Sequence, residues 1–192
     1  MSVAAVILAA GSGSRFNRKN PDALPGAKLL TLLNGRPVVA WAIAAALGAG
    51  LDEVIVVGGA ADLSDAVPDS VTLLHNSDWP RGLATSLRVG LEWCLARDHR
   101  GAVIGLGDTP GLTSEAWRAV ANAPEGPIVF ATYEGQRGHP VRLDAEVWPL
   151  LAASGDDGAG STARRYPDLV REVVCQGVPA DIDTPEDLQR WR

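Results

Sequence analysis

Three places in this sequence carry residues suited to handling a polyphosphate. The first is Leu8-Ala9-Ala10-Gly11-Ser12-Gly13-Ser14-Arg15, where two glycines flank a serine directly after an apolar run. Glycine lets the backbone turn sharply, and successive N–H groups can then converge on phosphate oxygens. Arg15 adds a fork of donors whose charge does not titrate. Arg18, Lys19 and Lys28 follow, with Asp22 the one acid between them, so the stretch is basic within an acidic chain. The second place is Gly105-Leu106-Gly107-Asp108-Thr109-Pro110, a carboxylate just past an apolar run and flanked by Gly and Pro. Such a group can bind a hard cation through oxygen, or close its own turn by bonding to the backbone. The third is Asp181-Ile182-Asp183, whose carboxylates share a face if the segment is extended. Asp183 also precedes Thr184-Pro185, so it can serve the N-terminus of a helix instead.

Two common phosphate motifs are excluded by spacing. A P-loop requires four residues between its glycines and then Lys-Ser/Thr. A dinucleotide fingerprint requires a third small residue opening a helix, where this chain has Phe16 and a polar stretch. Taken by itself, the glycine loop is equally compatible with a plain strand-to-loop turn.

The elements that must position these residues follow from the apolar pattern. Val3–Leu8 is continuously apolar, as expected of a strand buried on both faces. Further strands are expected at Glu53–Val57, Val71–His75, Ala102–Leu106, Ile128–Thr132, Gly138–Leu143 and Val170–Val174. The polar segment Arg15–Lys28, with Pro21 and Pro25, reads as a mobile loop. Asn34-Gly35 marks a tight turn, and Pro37 opens a helix running to about Ala49. Leu83, Leu87, Leu91 and Cys94 share one face of a helix over Gly82–Ala96. Thr113 or Ser114 caps the next helix, and Thr184-Pro185-Glu186-Asp187 opens a last one to Trp191. Strands alternating with helices predict a three-layer, Rossmann-like α/β fold, a mostly parallel sheet with helices on both faces. Ligands in such folds bind beyond the carboxyl ends of the strands, where the turns after Leu8 and Leu106 would meet.

The 192 residues suit one domain, and the net charge of −6 argues against a nucleic-acid or membrane-surface binder. Cys94 and Cys175 lack disulfide-framework or metal spacing and read as reduced, buried thiols. The N-terminal apolar run is too short to span a bilayer and has no basic leader, which predicts a cytoplasmic protein. The six tryptophans, Trp41, Trp93 and Trp117 among them, read as core packing. His75 and His99 have no chemical constellation in the sequence.

These motifs occur in the order of a known family. Leu8-Ala9-Ala10-Gly11-x-Gly13-x-Arg15, Gly26-Ala27-Lys28, Gly107-Asp108-x-Pro110 and Asp183-Thr184-Pro185-Glu186-Asp187 resemble the MobA-like nucleotidyltransferases. Asn76-x-x-Trp79-x-x-Gly82-x-x-Thr85-Ser86-Leu87, Gly138-His139-Pro140-Val141 and Gly155-Asp156-x-Gly158-Ala159 resemble the molybdenum cofactor cytidylyltransferase branch. The resemblance implies one MobA-like NTP transferase domain over residues 1–192, of the nucleotide-diphospho-sugar transferase type. It implies transfer of CMP from CTP to a phosphate-bearing acceptor, molybdopterin or the molybdenum cofactor, with release of pyrophosphate. Alternatives are a GTP-using enzyme, a transferase for another small phosphate such as phospholactate or a sugar phosphate, and a non-catalytic protein that delivers a cofactor.

The same resemblance assigns roles. Leu8, Ala9, Ala10, Gly11, Ser12, Gly13 and Arg15 would cradle the triphosphate, with Lys28 at the reacting phosphates and Lys19 its rival. Asp108 and Asp183 would hold Mg²⁺. Asn76, Gly82 and Ser86 would approach base and ribose, and Ala10 favours cytidine over guanosine. His139 and Asp156, bordered by Tyr133, would meet the acceptor, although a histidine before proline also has a purely structural reading. A transient contact with a molybdoenzyme maturation protein is implied as well. The chain departs from the pattern in its long Arg15–Lys28 link, in Thr109 where methionine is frequent, and in extra Gly and Ser over Gly155–Arg165.

Overall fold

The computed structural model describes residues 2–18, 24–124 and 126–191, so Lys19, Pro21 and Asp22 lie outside the described residues. In chain order the elements are β1 (Val3–Ala9), α1 (Ser14–Asn17), α2 (Ala27–Leu30), β2 (Leu32–Leu33), β3 (Arg36–Pro37), α3 (Val38–Ala49), β4 (Glu53–Gly58) and β5 (Thr72–His75). They continue with α4 (Leu83–Ala96), β6 (Gly101–Leu106), α5 (Ser114–Ala121), β7 (Ile128–Tyr133), β8 (Gln136–Asp144), α6 (Gly160–Arg165), β9 (Val170–Val174) and α7 (Pro185–Arg190).

Seven strands form one sheet in the order β5-β4-β1-β6-β8-β7-β9. β4, β1 and β6 pair in parallel, as do β5 with β4 and β9 with β7, so the sheet is mostly parallel as the alternation predicts. β8 runs antiparallel to both β6 and β7. The cause is local: Glu134 (φ 50°) and Gly135 (φ 80°) close a two-residue hairpin between Tyr133 and Gln136, and both positions demand positive φ.

Alternate residues of β1 feed two cores. Ala5, Ile7 and Ala9 pack with α3 and α5, where Trp117 is fully buried. Ala4, Val6 and Leu8 face α4 on the other side, with Leu87, Leu91 and Cys94. Burying a side chain of this size contributes about 1.5–3 kcal/mol, so the central strand is held from both faces. A third cluster, Phe16, Leu33, Val38, Ile182 and Leu188, fastens the C-terminal segment onto α1 and α3.

The caps follow the chemistry of their residues. Thr113 accepts from the Ala116 N–H, and Thr184 and Asp187 form a reciprocal capping box on α7. The expected loop from Arg15 to Lys28 is partly regular, since α1 and α2 overlap its two ends, and the Asn17 amide donates to the carbonyls of Ser12 and Leu24. Cys94 and Cys175 are free and buried, and burial with the Glu53 charge nearby pushes the Cys94 thiol up to about 12.

His99, without a constellation in the sequence, has one in the structure. It is buried, its Nε2 donates to Glu53 at 2.9 Å, and Ser2 Oγ lies 2.8 Å from its Nδ1. Trp93 and Thr72 also donate to Glu53, closing a network at the amino ends of β4 and β6, the end of the sheet away from the glycine loop. No helix among the described residues is long and apolar enough to cross a membrane.

Candidate active site

β1 and β6 are direct neighbours in register, Leu8 opposite Leu106, so the turns that follow them open at one end of the sheet. The Gly107 N–H donates to the Leu8 carbonyl at 2.9 Å, which sets Asp108 beside the glycine loop. Gly13 adopts left-handed backbone (φ 66°), and the Gly26 N–H donates to Ser12 O at 2.8 Å, drawing α2 under the loop. Lys28 on α2 is thereby buried, 7% exposed, with its Nζ donating to Asp108 Oδ2 at 2.5 Å.

Asp183 arrives from the far end of the chain. The Ile182 N–H donates to the Asp108 carbonyl at 2.9 Å, and the fully buried Ile182 side chain anchors that contact. Since Thr184 and Asp187 cap α7 between them, the Asp183 side chain is free for other partners: it pairs with Arg15 and lies 3.6 Å from Lys28 Nζ. Two cations and two carboxylates from four separate segments thus meet at the loop.

A hard divalent cation fits this pair of carboxylates. An ammonium already bridges them, so the space between Asp108 and Asp183 accommodates positive charge, and oxygen donors suit Mg²⁺ or Mn²⁺. Among the described residues no three His, Cys, Asp or Glu side chains are grouped to hold an ion, so phosphate oxygens and water would complete its shell.

Above the loop lies a cleft of about 390 Å³, lined by Leu8, Ala10, Gly11, Ser12, Ser86 and Asp108. Trp79 and Pro80 line it too, so this tryptophan is at the cleft rather than in the core. Trp79 belongs to the Asn76–Leu87 motif, which was the signal in the sequence. Gly82 caps α4 at φ 107°, and a Cβ there would lie 2.4 Å from the Gly155 backbone, so glycine is required. That contact brings Asp156 to the cleft wall.

Two of the residues expected at the nucleotide turn their side chains away from the cleft. The Asn76 side chain is buried and its amide is committed, donating to Thr85 Oγ1 and Ser86 Oγ at 2.9 Å each and accepting from the Asp78 N–H. It orients Ser86, which lines the cleft. The Ala9 side chain points into the opposite core, with Leu29 and Val39.

His139 and Asp156 line a second hollow of about 290 Å³ that adjoins the cleft, and Asp156 belongs to the walls of both. Burial of its ring holds His139 below the ordinary histidine range, against the opposing pull of the Ile104 carbonyl, Asp181 and Asp108. Asp181, the other carboxylate of the Asp181-Ile182-Asp183 segment, accepts from buried Thr109 at 2.8 Å. Burial and the Asp108 charge push its carboxyl up.

Comparison with known proteins places this geometry. Residues 5–170 match the MobA-like NTP transferase domain. The nicotine blue oxidoreductase of Paenarthrobacter nicotinovorans is 32% identical, over 98% of this chain and 95% of its own. The phosphoenolpyruvate guanylyltransferase of Sphaerobacter thermophilus is 33% identical over 72% of this chain and 75% of its own. The crystal structure of Rv0371c from Mycobacterium tuberculosis superposes with a TM-score of 0.82 at 30% identity, covering 100% of this chain and 97% of its own. A manganese complex of Rv0371c superposes with a TM-score of 0.78 at 26% identity, covering 100% of this chain and 98% of its own. The chain belongs to the MobA-like NTP transferase family of nucleotidyltransferases.

Proposed function

We propose that residues 1–192 act as one domain that transfers CMP from CTP to the phosphate of molybdopterin or the molybdenum cofactor, releasing pyrophosphate. The observation that carries the reading is Lys28 Nζ standing between Asp108 and Asp183 at the glycine loop. Asp108 and Asp183 would hold Mg²⁺, which supplies charge neutralisation at the α-phosphate when bound.

The residues of the chain do the rest. N–H groups of Gly11, Ser12 and Gly13 receive the triphosphate, and Arg15 and Lys28 turn from their carboxylates to the departing pyrophosphate. Both reactants are anions, so catalysis resides in alignment and neutralisation rather than in a covalent intermediate. Ser86, oriented by Asn76, faces base and ribose beside Gly82. Ala10 is 5% exposed and crowded by Gly59, where a Cβ would come within 2.8 Å of its own, and a pyrimidine suits such a floor better than a purine. His139 and Asp156 meet the acceptor. A cytoplasmic location and contact with a molybdoenzyme maturation protein belong to the same reading.

Pyrophosphate release with each of the four NTPs, against molybdopterin, phosphoenolpyruvate, phospholactate and a sugar phosphate, tests this. The expected result is acceptor-dependent release with CTP and Mg²⁺ or Mn²⁺. No release from folded protein with any pair overturns it. Preference for GTP or for another phosphate transfers the reading to that alternative. The name of the Paenarthrobacter relative favours a second reading, oxidoreduction, which oxidation of a nicotinamide coenzyme by the same preparation would reveal.

A further inference from the structure

Asp183 is carried by a segment that has no helix or strand of its own. Residues 177–183 run antiparallel beside residues 108–112. Gly177 bridges Leu112, the Val178 N–H donates to the Gly111 carbonyl at 3.1 Å, and the Ile182 N–H donates to the Asp108 carbonyl at 2.9 Å. The two backbones touch, since a Cβ on Gly111 would lie 2.5 Å from the Val178 carbonyl oxygen.

Between Val178 and Ile182 the ladder is interrupted. Pro110 and Pro179 have no N–H to give, and among the described residues no backbone hydrogen bond joins the two segments there. The stretch from Val178 to Ile182 is also one residue longer than the facing stretch from Asp108 to Gly111, so the register shifts across the gap. One side-chain bond spans it: Thr109, 1% exposed, donates from Oγ1 to Asp181 Oδ1 at 2.8 Å. That bond fits only the shifted register, the one that brings Ile182 to Asp108 and Asp183 to the glycine loop. On its other side Asp183 is fixed by the Thr184–Asp187 capping box. A carboxylate already held in place gives up less freedom when a cation arrives, and so binds it more tightly.

We propose that Asp181 is a positioning residue: its hydrogen bond from Thr109 locks the register that sets Asp183 beside Asp108, and thereby strengthens the pair's hold on a divalent cation. The proposal rests on the reading of Asp108 and Asp183 as metal ligands. It gives the first carboxylate of Asp181-Ile182-Asp183 a task different from that of the second.

Two measurements on the whole chain test it: amide exchange read by mass spectrometry, and Mn²⁺ binding read by electron paramagnetic resonance of the free ion. Thr109→Val keeps the branched shape and removes the donor. It should speed exchange over residues 180–183 and weaken Mn²⁺ binding, each about fivefold or more, the scale of one hydrogen bond. Thr109→Ser should return both to the wild-type values. Asp181→Asn keeps an acceptor for Thr109 and removes only the charge, so both readings should stay within about twofold of wild type. Asp181→Ala breaks the same bond from the other side and should match Thr109→Val, which keeps the test open if valine is not tolerated at the buried position. Unchanged exchange in the bond-breaking variants, faster exchange with Mn²⁺ binding intact, or Asp181→Asn weakened as far as Asp181→Ala overturns the proposal. Absence of Mn²⁺ binding in the unaltered protein, with exchange responding as expected, would count against the metal assignment and leave the lock on Asp183 standing.

Discussion

Replacing Lys28 with methionine separates two jobs that one ammonium performs at this site. The methionine keeps the stem that packs beneath Gly13, where a Cβ would lie 3.2 Å from that of Lys28, and removes the charge. In the resting protein Nζ is 2.5 Å from Asp108 and 3.6 Å from Asp183. Two unit charges about 4 Å apart interact by about 4 kcal/mol at an effective dielectric of about 20. The Asp108 and Asp183 side chains are 22% and 39% exposed, so solvent screens part of this. During transfer the same charge faces the departing pyrophosphate, where loss of one stabilising donor typically lowers turnover about 10²–10³-fold. We expect Lys28→Met to reduce pyrophosphate release by that factor. We also expect Mn²⁺ to bind the nucleotide-free variant about tenfold or more tightly than wild type, because a competing cation has left the two carboxylates. Turnover comes from a coupled pyrophosphate assay, and Mn²⁺ binding from electron paramagnetic resonance of the free ion. Full turnover in Lys28→Met, or weaker Mn²⁺ binding, would refute the reasoning. Lys19→Met, assayed alongside, should stay near wild type, and a larger loss there would make Lys19 the phosphate lysine.

Asp108→Asn should lower turnover by about two orders of magnitude or more while circular dichroism reports an unchanged fold; near-normal activity would sink its assignment as a metal ligand. Thr109→Val should lower stability in urea by about 1–2 kcal/mol, because Asp181 loses its buried donor, and Thr109→Ser should restore it. Burial alone would raise the Glu53 carboxyl, but hydrogen bonds from His99, Trp93 and Thr72 outweigh it and hold the group below the ordinary glutamate value of 4.5. The stabilisation from that lowered value is therefore fully present above pH ~4.5 and fades as pH falls through the folded-state value. Melting curves from pH 6 to pH 3 should show a loss that is smaller in Glu53→Gln; identical pH profiles would refute the link.

Much of the framework was legible along the chain because its causes are local. Continuous apolar runs such as Val3–Leu8 bury on both faces, and Asn34-Gly35 and Thr184-Pro185 punctuate by their own backbone preferences. The same holds for the order of the motifs, which was enough to indicate the family. The direction of β8 was missed although its cause, Glu134-Gly135, is also local.

Tertiary structure alone decided where the polar side chains point. His99 had no constellation in the sequence because Glu53, Trp93 and Thr72 come from other elements. Asn76 belongs to the cleft motif, yet its amide faces Thr85 and Ser86, a choice made by α4 docking on β1 and β4. Asp183 had two uses open to it, and the capping box at Thr184 and Asp187 took one of them. Its meeting with Asp108 rests on ties between the two segments, the Ile182 N–H on the Asp108 carbonyl and Thr109 on Asp181, fastened by an Ile182 side chain with no exposed surface. Spacing along a chain governs local turns and faces. Which carboxylates meet across a sheet is governed by strand order and by burial of the residues beside them.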